Sequence, residues 1–298
     1  MEVRRLRLLR ELADRGTVTA VAKALDYTPS AVSQQIRALQ AEAGVPLTEP
    51  AGRGLRLTDA GWALVTRADE VLAAMDRMDA ELNSFRSAPR GTVRLAMFPS
   101  GALLVLPGLL RRLAAEPQLR LEFRDVDMTS AEVPALLADF DVVVTHRDDH
   151  APPFDAARAE ITSLYREPLD VALPPGHRLS GNARVELTEL AGEPWIGVNV
   201  GFPVDDVLRS LAVRTGTRPE VVQRVNDFRI TEALVAAGHG VALLPRYLVD
   251  NPNLVMRPLA GVRAGRNIEA LTRRGASGRP AVHAALAALR AESTAITT

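Results

Sequence analysis

No cysteine occurs among the 298 residues. That absence removes disulfide frameworks, thiol nucleophiles and cysteine-ligated zinc or iron–sulfur centres. Net charge is missing too: 36 basic and 36 acidic residues cancel, so affinity for a polyanion has to come from a local patch. Lysine is almost absent, with Lys23 the only one and arginine supplying the rest. Nothing approaches the ~20 apolar residues of a membrane span, and the charged N-terminus leads into no apolar stretch, so a soluble, cytoplasmic protein is expected. No Gly-x-Ser-x-Gly, Walker or His-Glu-x-x-His pattern is found, which leaves catalysis without a constellation. No cofactor is expected. What remains is a chain with 47% hydrophobic and 24% charged residues, ample for two domains with proper cores and too apolar for disorder.

The N-terminal part reads as short helices. Leu6, Leu9 and Leu12 recur at helical spacing before Gly16, and a second helix holds Val21, Ala22 and Leu25 after Thr19, its expected N-cap. The third helix has the clearest signals: Thr28 as cap, Pro29 at the first position, and Val32, Ile36 and Leu39 on one stripe. Its other face displays Ser30, Ser33, Gln34 and Arg37. Between Leu47 and Thr58, short extended runs around Pro50, Gly52 and Gly54 suit a hairpin. Positions 58–87 then predict one helix of about 40 Å at 1.5 Å per residue. Val65, Ala68, Leu72, Met75, Met78, Leu82 and Phe85 form a seam on it suited to a second copy. Residues 87–91 break this helix.

Beyond Gly91, strands and helices alternate, which predicts a parallel or mixed sheet covered by helices. Strands are expected at 93–98, 119–125, 141–145, 169–173, 195–198, 221–225 and 241–244, and helices at 102–115, 131–139, 203–215, 229–237 and 281–292.

A helix, a turn and a capped second helix with a polar outer face is the arrangement that enters a DNA major groove. Gln34 can pair with adenine, Arg37 with guanine or phosphate, and Ser33 with either, while Ser30, Arg53 and Arg56 suit phosphates. Residues 1–56 hold nine basic and six acidic side chains, a modest local excess.

The segments 16–25 and 28–40, GTVTAVAKAL and TPSAVSQQIRALQ, followed by Gly44-Val45-Pro46-Leu47 and Leu57-Thr58-Asp59-Ala60-Gly61, resemble the winged helix-turn-helix of LysR-type transcriptional regulators. Pro174-Pro175-Gly176-His177-Arg178-Leu179 and the segment 236–245 are similar to recurrent segments of the same family. Thr48 and Pro50 depart from it, standing where it usually has an aromatic residue and an arginine. The resemblance implies an α/β multidomain bacterial regulator in three parts. Residues 1–57 would form the DNA-binding unit, 58–90 a linker helix that pairs subunits into a homodimer or homotetramer, and 91–298 a regulatory domain like a periplasmic binding protein. The last would comprise two α/β subdomains with a small-molecule effector in the cleft between them. Double-stranded promoter or operator DNA is the implied partner, and no membrane.

For the cleft, Pro99 and Ser100 end a strand and open a helix whose N–H groups and hydroxyl suit an anionic group, although Ser100 also reads as a plain N-cap. Thr145 and His146 end another strand, where α/β sheets place ligand contacts. Phe202, Asn226, Asp227 and Phe228 stand before helices on the opposite side. The run His146-Arg147-Asp148-Asp149-His150 has metal-ligand composition, but loops at strand ends commonly carry such charge, and no metal is expected. Three other readings remain open on sequence: a cytoplasmic ligand-binding protein whose N-terminal helices merely dimerise, an enzyme using the α/β half, and an architectural DNA-binding protein without effector.

Overall fold

The computed structural model of the chain describes residues 1–51, 54–84, 89–154 and 159–297. Three helices open it: α1 (Val3–Arg15), α2 (Val18–Leu25) and α3 (Pro29–Ala43). Gly16 ends α1 in the left-handed region at φ 73°, as its position after the leucine repeat predicts. The cap of α2 is Thr17, whose hydroxyl accepts from the Ala20 N–H, and Thr19 lies inside the helix. Both threonines suit the role, and the early stop at Gly16 puts Thr17 at the first extended position. Thr28 caps α3 as expected, and Val32, Ile36 and Leu39 are fully buried in one core with Leu6, Leu9, Leu12 and Val21.

A hairpin follows, β1 (Thr48–Ala51) against β2 (Gly54–Leu57). Helix α4 (Asp59–Ser84) starts where the Thr58 hydroxyl accepts from the Gly61 N–H. A Cβ on Gly61 would overlap the Leu47 carbonyl, so only glycine lets α4 lie this close to the base of the hairpin. The seam divides in two. Val65 and Ala68 join the core of the N-terminal unit and Leu72 is buried, whereas Met78 and Leu82 are exposed. The first half is used by the chain itself because α1 packs along it. Phe85 lies outside the described residues, as do 87 and 88 of the expected helix break.

The rest is two lobes sharing strands. The first contains β3 (Gly91–Met97), α5 (Pro99–Leu113), β4 (Leu119–Asp125), the short α6 (Val133–Leu136) and β5 (Val142–Asp148). A long strand β6 (Ala159–Leu173) leaves it for the second lobe, which holds β7 (Pro194–Gly197), α7 (Pro203–Thr215), β8 (Glu220–Arg224), α8 (Phe228–Ala236), β9 (Ala242–Pro245) and β10 (Val255–Pro258). The chain then returns to the first lobe with β11 (Gly265–Arg273) and α9 (Pro280–Thr297). The sheet runs β10-β6-β11-β5-β3-β4, with β9 also on β6. Residues 159–168 of β6 pair with β11 and residues 169–173 with β9 and β10, so one strand serves both lobes. Among the described residues the lobes hold separate apolar cores: one around Val93, Val142, Ile268 and Val282, a smaller one around Met128, Val133, Phe140 and Val143, and one in the second lobe around Val171, Trp195, Leu211 and Leu244.

Helix α1 also touches the first lobe. The Arg15 guanidinium donates to the Ala138 carbonyl at 3.1 Å and to Asp139 at 2.9 Å. Arg273 of β11 reaches Glu11 at 3.6 Å.

Candidate functional site

The outer face of α3 is built by the stripe that buries Val32, Ile36 and Leu39 on the other side. Ser30, Gln34 and Arg37 are exposed and Ser33 is half-buried beside them. The Thr28 hydroxyl accepts from the Ala31 N–H at 3.2 Å and meets Ser30 Oγ at 3.0 Å. Neighbouring polar groups are committed elsewhere: Gln35 accepts from Arg5, and Gln40 takes the N–H groups of Leu47 and Thr48. Among the described residues Gln34 and Arg37 have no such partner, so their hydrogen-bonding capacity points outward. On the hairpin, Arg56 forms an ion pair with Glu49 at 2.7 Å. Arg53 lies outside the described residues.

Between the lobes lies a cleft of about 940 Å³, within the range of small-molecule sites. Pro99, Ser100 and His146 line it from the first lobe, and Phe202, Asn226, Asp227 and Phe228 from the second. Seven expected residues from distant segments thus converge. Thr145 does not join them: pleating turns it to the other face of β5, and it is buried. Ser100 is not the cap of α5, because Pro99 takes the first helical position and leaves Phe98 as N-cap.

The cleft floor contains a residue with no sequence signal. Arg266 of β11 is 1% exposed, as is its partner Glu167 of β6, and Nη2 and Nε meet the carboxylate at 2.6 and 2.7 Å. The same guanidinium donates to Ser100 Oγ at 3.0 Å and to His146 Nε2 at 3.2 Å. It lies 4.9 Å from the Phe98 ring centre and 5.8 Å from that of Phe228, bridging the lobes. Two polar contacts tie the lobes beside it: Asn226 donates to Asp127 at 2.6 Å and Ser210 to Asp148 at 2.6 Å. In the run 146–150, Asp149 pairs with Arg166 and Arg147 with Glu269. Phe123, Asp125 and Asp127, which also line the cleft, escaped the sequence reading. Their position at and just beyond the carboxyl end of β4 is the signal that could have found them.

Burial, and then the charge of Arg266, hold the His146 imidazole well below its ordinary value. The unfolded chain binds a proton there below about pH 6.5 while the folded chain does not, so stability falls as pH drops. The expected slope from this residue is up to about 1.4 kcal/mol per pH unit below about pH 6.5, ending at the folded value. Urea denaturation of the wild type and His146→Gln between pH 5 and 7 checks it, and parallel pH profiles would refute it.

A helix-turn-helix head, a long helix and a two-lobed domain with a ligand-sized cleft define a DNA-binding protein that responds to a small molecule. The family described as bacterial regulatory helix-turn-helix protein, lysR family, matches residues 3–62, and the LysR substrate binding domain matches 86–294. The chain belongs to the LysR family of transcriptional regulators, whose DNA binding is modulated by an effector in the C-terminal domain. A probable hydrogen peroxide-inducible genes activator of Mycobacterium avium is 30% identical over 293 residues, covering 96% of this chain and 92% of that protein. The transcriptional dual regulator GltC of Bacillus subtilis is 29% identical over 252 residues, 82% of this chain and 81% of the relative. A full-length OxyR from Pseudomonas aeruginosa, solved as a cysteine-to-aspartate variant, shares the fold at 19% identity with a TM-score of 0.71, over 97% of this chain and 95% of that one.

Proposed function

We propose that this chain is a cytoplasmic, homo-oligomeric, non-enzymatic regulator in which residues 1–57 bind operator DNA, 58–90 join subunits and 91–298 sense the effector. Ser33, Gln34 and Arg37 read bases, and Thr28, Ser30, Arg53 and Arg56 hold the phosphate backbone. The observation that carries this reading is the outer face of α3, where Gln34 and Arg37 stand exposed while Gln35 and Gln40 beside them are already bonded. The exposed Met78 and Leu82 of α4 suit the packing of a second copy. Peroxide is named for the mycobacterial relative, but without cysteine this chain has no thiol to carry the oxidation ladder. Its signal is a molecule bound in the cleft by Pro99, Ser100, His146, Phe202, Asn226, Asp227 and Phe228. Ser100 and the start of α5 receive an anionic group of that molecule.

The experiment is a gel-shift titration on the DNA upstream of the gene, against random DNA, at several salt concentrations. Arg37→Ala is expected to lose about 1–3 kcal/mol on the operator and little on random DNA. Arg56→Ala should weaken both equally and reduce the salt slope by about one. Equal losses from the two variants would sink the division of roles.

A further inference from the structure

We propose that the effector is a small flat zwitterion, its carboxylate seated at the cleft floor and its protonated amine at the mouth. The inference rests on the reading that the cleft is the effector site. The floor is a set of donors. Because Arg266 donates to His146 Nε2, that nitrogen must be the bare one, which places the ring proton on Nδ1. His146 is 7% exposed and its Nδ1 has no partner, an orphaned buried donor of the kind that costs about 1–3 kcal/mol. Ser100 Oγ already accepts from Arg266, so its hydroxyl hydrogen is free to donate. Helix α5 adds the N–H group of Ser100, which precedes the first helical bond, made by the Ala102 N–H to the Phe98 carbonyl at 3.0 Å. A group that only accepts suits the Ser100 hydroxyl and this N–H, and a carboxylate offers about four acceptor positions.

Charge decides the other end of the molecule. At the floor Arg266 is neutralised by Glu167, so it adds no net attraction for an anion. Around the mouth stand Asp125, Asp127, Asp227 and Glu232 against Arg229 alone. Asp125, Asp127 and Asp227 are exposed and Glu232 is half-buried. Asp127 binds Asn226, and Asp227 caps α8 by accepting from the Arg229 N–H, yet these bonds are to neutral groups and leave the charges in place. A simple anion would enter against an excess of three negative charges, whereas an ammonium group facing the mouth converts that field into attraction. Phe98, Phe123, Phe202 and Phe228 wall the space between, which suits a flat apolar body.

The test is isothermal titration of the full-length protein with three molecules of one shape: 4-(aminomethyl)benzoate, 4-methylbenzoate and 4-methylbenzylamine. The first is expected to bind at least tenfold more tightly than either of the others. In Asp125→Asn/Glu232→Gln that preference should shrink several-fold while 4-methylbenzoate gains affinity. Equal or tighter binding of 4-methylbenzoate by the wild type overturns the zwitterion and leaves the cleft reading standing, and no binding of any of the three overturns the proposed class. The location is tested separately by Leu103→Trp, which adds bulk at an exposed position lining the cleft. Unchanged binding in that variant would refute the cleft itself as the site.

Discussion

Arg266→Ala is expected to destabilise the regulatory lobes by about 3–5 kcal/mol, the usual cost of leaving one partner of a buried ion pair alone. Glu167, 1% exposed in the wild type, would lose the cation that neutralises it, leaving a buried charge unpaired. Urea denaturation followed by circular dichroism, with the fluorescence of the buried Trp195 reporting on the second lobe, measures the change. The companion variant Arg266→Met/Glu167→Leu separates charge from packing. Removing both partners together is expected to recover most of the stability, because the strands lose a costly desolvation along with the attraction. It should not recover ligand binding, since Ser100 and His146 lose the group that orients them. An Arg266→Ala variant as stable as the wild type would show that Glu167 finds another partner, and that the pair does not build the cleft floor.

The same pair shows where sequence reasoning stops. Helix α3 was legible because every signal is local: a threonine, a proline, then apolar residues at i, i+4 and i+7 that must face one way. Strand β4 was legible to the residue, and α7 likewise, for the same reason. Strand β11 and the first part of β6 were missed. They lie in the middle of the sheet, yet carry Arg266, Glu269, Glu167 and Arg166, which read as solvent-facing in any short window. Their burial is made tolerable by partners 99 and 122 positions away, Glu167 for Arg266 and Arg147 for Glu269. The cleft was legible where helix starts and strand ends announce themselves, and illegible at Arg266 and Glu167, whose pairing exists only as a contact between distant strands. The seam on α4 divides for a related reason. Periodicity shows that a face is apolar and cannot show that α1 of the same chain covers half of it.

Glu11→Ala is the second large effect expected, and it tests how the DNA-binding unit is fastened to the effector lobes. Glu11 is 4% exposed on α1 and lies among three guanidinium groups: Arg15 at 2.8 Å, Arg10 at 3.1 Å and Arg273 at 3.6 Å. Arg273 also donates to the Leu137 carbonyl, and burial followed by the nearby Arg10 pushes its pKa down from the ordinary arginine value. Glu11 thus holds together cations that otherwise repel, with Asp139 on Arg15 and Asp14 near Arg273 adding to it, and Arg10 Nε is already buried without a partner. Without Glu11 the contact between α1 and β11 should weaken by about 3 kcal/mol, at the lower end for buried pairs because the arginines are partly solvated. The surface pair Arg67–Glu70 provides the contrast, with both side chains about half or more exposed. Its removal by Glu70→Ala should cost less than about 1 kcal/mol. Hydrogen exchange of the intact protein reads the difference directly. Faster exchange is expected in Glu11→Ala at residues 134–141, which receive Arg15 and Arg273, while the core strands β3 and β5 keep their protection. Uniform acceleration throughout the chain would mean general destabilisation, and unchanged exchange at 134–141 would mean that Glu11 does not fasten the two parts. If the local effect is found, the position of the recognition helix is set by α1 gripping the first lobe as well as by the length of α4. Movement of that lobe when the cleft fills then reaches the DNA-binding face through a second, shorter route than the linker helix.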